Sequence, residues 1–153
     1  MKKYIQTSSL PSREAVLRFG LNIPILSGIF KKKLKEAAGF GDLKFAISGA
    51  APINPDILAL FQKLDIPLFE GYGMTENTAG ATLNYLGHNK IGSVGKALPD
   101  TEIKIANDGE VMIQGDHVMK GYYKNPEATT ETLVDRWLRT GDIGKLDSEG
   151  YLY

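Results

Sequence analysis

Cysteine is absent from the 153 residues, which excludes disulfides, thiolate nucleophiles and zinc-cysteine centres together and agrees with a reducing compartment. Histidine is scarce: His88 and His117 stand far apart, outside any ligand-spaced cluster, and read as surface or loop residues. No apolar run approaches the ~20 residues needed to span a bilayer. The most apolar early stretch, Phe19 to Phe30, is interrupted by Asn22, Pro24 and Ser27. Met1-Lys2-Lys3 is not followed by an apolar h-region or a small-residue cleavage site, so no targeting segment is expected. An excess of charge of one sign is also missing. Eighteen basic residues balance eighteen acidic ones, leaving no global field to favour nucleic acid or an anionic membrane.

What is present suits one ordinary folded domain, with 42% apolar and 24% charged residues. Residues 12 to 19 read as a helix with Ser12 as N-cap, and residues 29 to 38 as a second, basic helix ending at Gly39. Its lysine cluster, Lys31 to Lys35, is best read as a solvated face. From Asp42 the pattern becomes α/β. Leu43 to Ile47 alternates as a strand; Asn54 caps a helix with Pro55 at its first position, running to about Asp65; a Pro67 to Glu70 strand follows. A strand-helix-strand unit of this length pairs its strands in parallel, and both strands then end in small-residue loops on one sheet edge.

Those loops are Ser48-Gly49-Ala50-Ala51-Pro52 and Gly71-Tyr72-Gly73-Met74-Thr75-Glu76. Glycines allow sharp turning and close approach of a ligand, exposed N–H groups attract anions, a Thr hydroxyl can donate to a phosphate oxygen, and Glu can hold the accompanying magnesium. Taken alone, Gly-x-Gly after a strand is also an ordinary tight turn. Beyond Ala79 the chain reads as short strands: Ala81 to Leu86, Glu102 to Ala106, Glu110 to Gln114, Trp137 to Arg139, Ile143 to Leu146 and Tyr151 to Tyr153. Asn107-Asp108-Gly109 and Asp147-Ser148-Glu149-Gly150 are hairpin signals, and Asn125-Pro126-Glu127 opens a short helix to about Leu133. Trp137 reads as core. The fold class is α/β: a strand-helix-strand portion of a parallel sheet followed by a small antiparallel β region, a partial barrel. The expected division is a helical segment over 1–39, an α/β part over 40–90 and a β-rich part over 91–153.

Four motifs then stand in one order: Ser48 to Pro52; Gly71 to Glu76; Gly109-Glu110-Val111-Met112-Ile113-Gln114-Gly115 leading to Gly121-Tyr122-Tyr123; and Trp137-Leu138-Arg139-Thr140-Gly141-Asp142-Ile143-Gly144. Together they resemble the adenylate-forming (AMP-binding) superfamily, most of all its long-chain fatty acid CoA ligases, over residues 40 to 153. The resemblance implies an acid-thiol ligase using ATP, Mg2+ and coenzyme A, which makes an acyl-AMP from a fatty acid and passes the acyl group to the thiol. It places the turn Gly49, Ala50, Ala51 and Pro52 against the adenine, with Tyr72 stacked on the ring and Glu70, Gly71 and Gly73 beside the nucleotide. Thr75 would meet the α-phosphate, Glu76 would ligate magnesium, and Asp142 would accept from both ribose hydroxyls.

The family's Gly/Ser/Thr-rich phosphate loop has no counterpart in residues 1 to 47, and the sequence stops at Tyr153, before the family's hinge arginine and C-terminal lysine. The expectation is an internal piece of a longer enzyme, without ligase activity alone. Three alternatives stay open: activation of an aryl, short-chain or amino acid; a non-catalytic nucleotide-binding module; and a scaffold fragment. Open sheet edges would favour self-association. A cytoplasmic location is expected, with peripheral membrane contact left open.

Overall fold

The computed structural model describes residues 24–153. Helix α1, Pro24–Ala37, opens on a proline, whose fixed φ and missing N–H suit a first turn, and stops before Gly39 at φ 79°. It begins earlier than the expected residue 29. Lys32 and Lys33 are exposed, a solvated face, while Lys31 Nζ lies 2.8 Å from Asp65 Oδ2. The expected Ser12-capped helix lies outside the described residues.

Strand β1, Ala46–Ser48, helix α2, Pro55–Lys63, and strand β2, Leu68–Tyr72, form the anticipated parallel unit. β1 and β2 pair Ala46 with Leu68 through Ser48 with Glu70. Asn54 Oδ1 accepts from the Asp56 N–H at 2.8 Å, fixing the start of α2, and Leu58 is its buried anchor. β1 starts three residues later than Leu43 because the ladder begins where Ala46 N–H donates to Pro67 O; Leu43 and Phe45 remain exposed.

The glycine at 71 does not end β2, as its sequence suggested. The strand continues through Tyr72, where its edge pairs with β3, Thr82–Leu83: Gly71 with Leu83 and Tyr72 with Thr82. Gly71 serves close approach here, since a Cβ would sit 3.1 Å from both Thr82 O and Leu83 Cδ1. A two-residue strand replaces the expected Ala81 to Leu86, because Tyr85 and His88 turn back on each other in an isolated bridge. β4, Lys96–Ala97, completes a sheet of order β1-β2-β3-β4.

The second sheet is antiparallel, of order β5-β6-β8-β7, with β5 at Glu102–Ile105, β6 at Glu110–Gln114, β7 at Leu133–Val134 and β8 at Trp137–Ile143. Helix α3, Pro126–Thr132, precedes β7, with Asn125 Oδ1 accepting from Ala128 N–H. Instead of two strands separated at Thr140 to Asp142, β8 is one strand of seven residues. A register shift opposite Glu110 to Met112 absorbs Gly141, which takes φ 77°. The expected Ile143 to Leu146 and Tyr151 to Tyr153 strands reduce to isolated bridges, Leu146 with Leu152 and Lys96 with Tyr151; the second of these joins the last hairpin to β4. Trp137 is half-buried instead of core, with Lys104 Nζ 3.9 Å from its ring centroid.

Ala81, Val111, Ile113, Leu138 and Leu152 make the main core, and Tyr72 and Met74 pack against it. Residues from both sheets therefore share one interior, which fixes the end of β2 against β8.

Candidate functional site

A cavity of about 590 Å³ opens beside the carboxyl ends of β1 and β2, lined by Gly49, Ala50, Gly71, Tyr72, Gly73, Met74 and Thr75, with Leu83 and Leu98 opposite. Its near wall is largely backbone. A Cβ on Gly49 would come within 3.2 Å of Gly71 O, so the two loops meet only because the residue is glycine. At Gly73 a Cβ would collide with the Ala79 carbonyl and lie 2.8 Å from Gly80 N. Ala50 holds φ 66°, a left-handed geometry that turns the loop sharply. Ala51 and Pro52 follow in the same exposed turn, outside the lining.

Tyr72 and Asp142, seventy residues apart in sequence, are joined by a 2.6 Å hydrogen bond from the phenol to Asp142 Oδ2. Burial and the Asp142 carboxylate push the Tyr72 phenol well above its ordinary value, so it remains a proton donor throughout the neutral range. Asp142 itself is exposed, leaving acceptor capacity toward solvent. Its backbone is held from behind. Glu110, 7% exposed, accepts from Arg139 Nε at 2.8 Å and lies 2.7 Å from Arg139 Nη2, while its other oxygen accepts from Gly141 N–H at 2.8 Å. Thr140 Oγ1 donates to Val111 O and accepts from Asp142 N–H. A buried carboxylate with both oxygens satisfied thus fixes the bulge that carries Asp142.

Thr75 and Glu76 open a 3-10 turn, Thr75–Asn77, whose entry is tied by Met74 N–H donating to Asn77 Oδ1 at 2.7 Å. Thr75 is exposed at the mouth of the cavity. Glu76 lies just outside the lining, and its Oε1 accepts from Tyr122 Oη at 2.9 Å. Glu70 also lies outside; burial pushes its carboxyl above the ordinary value, opposed by the facing backbone N–H groups of Ile53 and Gly92.

Among the described residues no group of three His, Cys, Asp or Glu gathers to hold a metal. A magnesium ion needs no such group, because it is commonly held by one or two carboxylates plus substrate phosphates, and Glu76 presents one half-buried carboxylate beside the cavity. The site therefore unites Gly49, Ala50, Gly71, Tyr72, Gly73 and Thr75 around one cavity and attaches Asp142 to its Tyr72 side. Sequence reasoning missed Glu110, Arg139 and Tyr122 as supports. An acidic residue opening the apolar run Val111-Met112-Ile113 was the available signal for Glu110; nothing local links Tyr122 to Glu76.

Residues 20–123 match the family described as AMP-binding enzyme. The chain is 48% identical over 121 residues to FadD11 of Mycobacterium tuberculosis, provisionally named a fatty-acid–CoA ligase, covering 78% of this chain and 21% of that protein. It is 36% identical over 168 residues to fatty acyl-CoA synthetase A of Dictyostelium discoideum, covering 99% of this chain and 25% of the other. Among solved structures, O-succinylbenzoate coenzyme A synthetase of Bacillus subtilis in complex with ATP and magnesium superposes with TM-score 0.63 at 35% identity, over 70% of this chain and 25% of that one. The chain thus spans about a fifth to a quarter of these relatives. With the profile extending over both glycine-walled loops and the Tyr122 segment, the chain belongs to the AMP-binding enzyme family.

Proposed function

We propose that the chain supplies the adenosine-facing part of an ATP-dependent acyl-CoA synthetase, which activates a fatty acid as acyl-AMP and transfers it to coenzyme A. The observation that carries this reading is the Tyr72–Asp142 contact closing one side of a cavity walled by glycine backbone. A flat ligand can lie between the 49–52 turn and the Tyr72 ring, since no bulky side chain stands on that wall. Asp142, an exposed carboxylate held in place by Tyr72 and the Glu110-fixed bulge, is suited to accept from vicinal ribose hydroxyls.

In the reaction, a carboxylate oxygen of the acid attacks the α-phosphorus and pyrophosphate leaves; the coenzyme A thiol then takes the acyl group and AMP leaves. Thr75, at the cavity mouth, would donate to an α-phosphate oxygen, and Glu76 would face the bound magnesium. When bound, that ion supplies neutralisation of the charge developing on the phosphates. Tyr72 stays neutral and keeps Asp142 oriented. The similarity to fatty acyl-CoA synthetases favours a fatty acid, while the resemblance to an O-succinylbenzoate ligase supports an aryl acid as the second reading. Competition between the two acids in acyl-CoA formation by a whole ligase that carries this segment separates them.

Calorimetric titration of a non-hydrolysable acyl-adenylate analogue tests the proposal. Binding weakened about tenfold or more by Asp142→Ala is expected, the effect of losing a charged hydrogen-bond acceptor. No binding by a folded chain would contradict it. Self-association is proposed separately, through β1, where Ile47 and the preceding Phe45 are exposed; a monomer by light scattering at high concentration would contradict that.

A further inference from the structure

The segment after β6 grips the Thr75–Asn77 turn and its C-cap, Thr78, at three points. Thr78 Oγ1 donates to His117 O at 2.7 Å, Met119 N–H donates to Glu76 O at 2.7 Å, and Tyr122 Oη donates to Glu76 Oε1 at 2.9 Å. The first two fix the backbone. Only the third reaches the carboxylate, and it occupies Oε1; among the described residues no donor is bonded to Oε2.

Tyr122 is in turn fixed from its own side. Its N–H donates to Thr129 Oγ1 at 2.9 Å, its carbonyl accepts from Asn125 N–H, and Thr129 Oγ1 donates to Asn125 O. Gly121, at φ 146°, lets the chain lie directly on α3, since a Cβ there would come 2.7 Å from Thr129 Cγ2. An aromatic side chain has few rotatable bonds, so Tyr122, though 37% exposed, has few conformations from a backbone held this way, and one of them places its hydroxyl on Glu76. Glu, with three rotatable bonds and partial exposure, does not hold itself.

We propose that Tyr122 is a positioning residue for Glu76, holding one carboxylate oxygen so that the other is directed toward a magnesium-nucleotide. The proposal rests on the reading of Glu76 as the magnesium-facing carboxylate. Partners of this kind, one bond removed from a metal, typically change metal affinity by about 10- to 100-fold when removed.

The test measures calorimetric binding of ATP with magnesium, and of AMP in EDTA, to the full chain, its Tyr122→Phe and Glu76→Gln variants and the double variant. Tyr122→Phe is expected to weaken magnesium-ATP binding about tenfold while leaving AMP binding in EDTA unchanged. Added to Glu76→Gln it is expected to have little further effect, because the carboxylate it positions is already neutral. Equal loss for both ligands, the same loss in both backgrounds, or no loss at all would each overturn the positioning role. If the unsubstituted chain binds neither ligand, the adenylate reading itself fails and this proposal falls with it. If it binds AMP but magnesium does not strengthen ATP binding, the adenosine contacts stand and only the assignment of Glu76 and Tyr122 is overturned.

Discussion

The two sheets divide the work unequally. The first buries Leu58, Ile66 and Phe69 but leaves much of its apolar surface open: Phe45 and Ile47 are each 55% exposed, and α2 also leaves Ile57 and Leu60 open. The second surrounds Ile113 and Leu138, both at 0% exposure, and closes on Ala81 and Leu152. The difference concerns how each wall of the cavity is made. The first sheet offers backbone, and its requirement is that side chains be missing at Gly49, Gly71 and Gly73. The second offers a charged side chain, Asp142, which must be held in place, and its core together with Glu110 and Arg139 does so. Substitutions should therefore harm the first wall by adding atoms and the second by removing them.

The largest effect on ligand binding is expected at Gly73. Replacing it with Ala drives a Cβ into the Ala79 carbonyl, so either the 73–80 turn shifts or binding is lost; adenylate-analogue affinity should fall by more than about tenfold, with ~1–3 kcal/mol of overpacking cost. Unchanged affinity in Gly73→Ala would break the claim that the first wall depends on missing side chains. Next comes the core. Leu138→Ala should lower unfolding free energy by about 2–5 kcal/mol in urea titration, because its site is fully enclosed. Leu60→Ala, on the open face of α2 at 38% exposure, should cost less than about 1 kcal/mol. Equal losses would dissolve the contrast between the sheets.

The smallest effect concerns the last hairpin. Lys90 Nζ lies 2.7 Å from Asp147 Oδ2 and 2.9 Å from Glu149 Oε1, and Asp147 Oδ1 accepts from the Glu149 and Tyr151 N–H groups. Lys90 first, and then the Tyr151 N–H, hold the Asp147 carboxyl well below its ordinary 3.8. Since the folded value is depressed, the contribution is present above pH 3.8 and is lost as pH falls through the depressed value. Asp147→Asn keeps an acceptor for the backbone donors but removes the charge. Its melting temperature should lie slightly below the parent's at neutral pH, and the gap should close in acid; a gap that persists in acid would place the effect in packing instead.

Much of this organisation was legible in local sequence because it is locally caused. Asn54-Pro55 capped a helix and Asn107-Asp108-Gly109 made a hairpin where turn chemistry required one. The parallel pairing of β1 with β2 followed from the length of the unit between them. What failed depended on a partner strand. Gly71 looked like a strand end until Leu83 lay across it, and Thr140-Gly141-Asp142 looked like a turn until the bulge opposite Glu110 kept β8 intact. Trp137, read as core by residue type, proved half-buried, lying on the short outer pairing of β8 with β7 with the Lys104 amine over its ring. At the site, the small-residue loops announced themselves, whereas the contacts that orient its carboxylates join Tyr72 to Asp142 and Tyr122 to Glu76 across long separations. No local period records such pairs.

The central claim is that both sheets face one nucleotide. Titrating the acyl-adenylate analogue into isotopically labelled chain and following backbone amide resonances tests it most directly. The account predicts that the amides of Gly71 to Thr75 and those of Thr140 to Ile143 shift together along one binding curve. Shifts confined to either segment, or centred elsewhere, would contradict it.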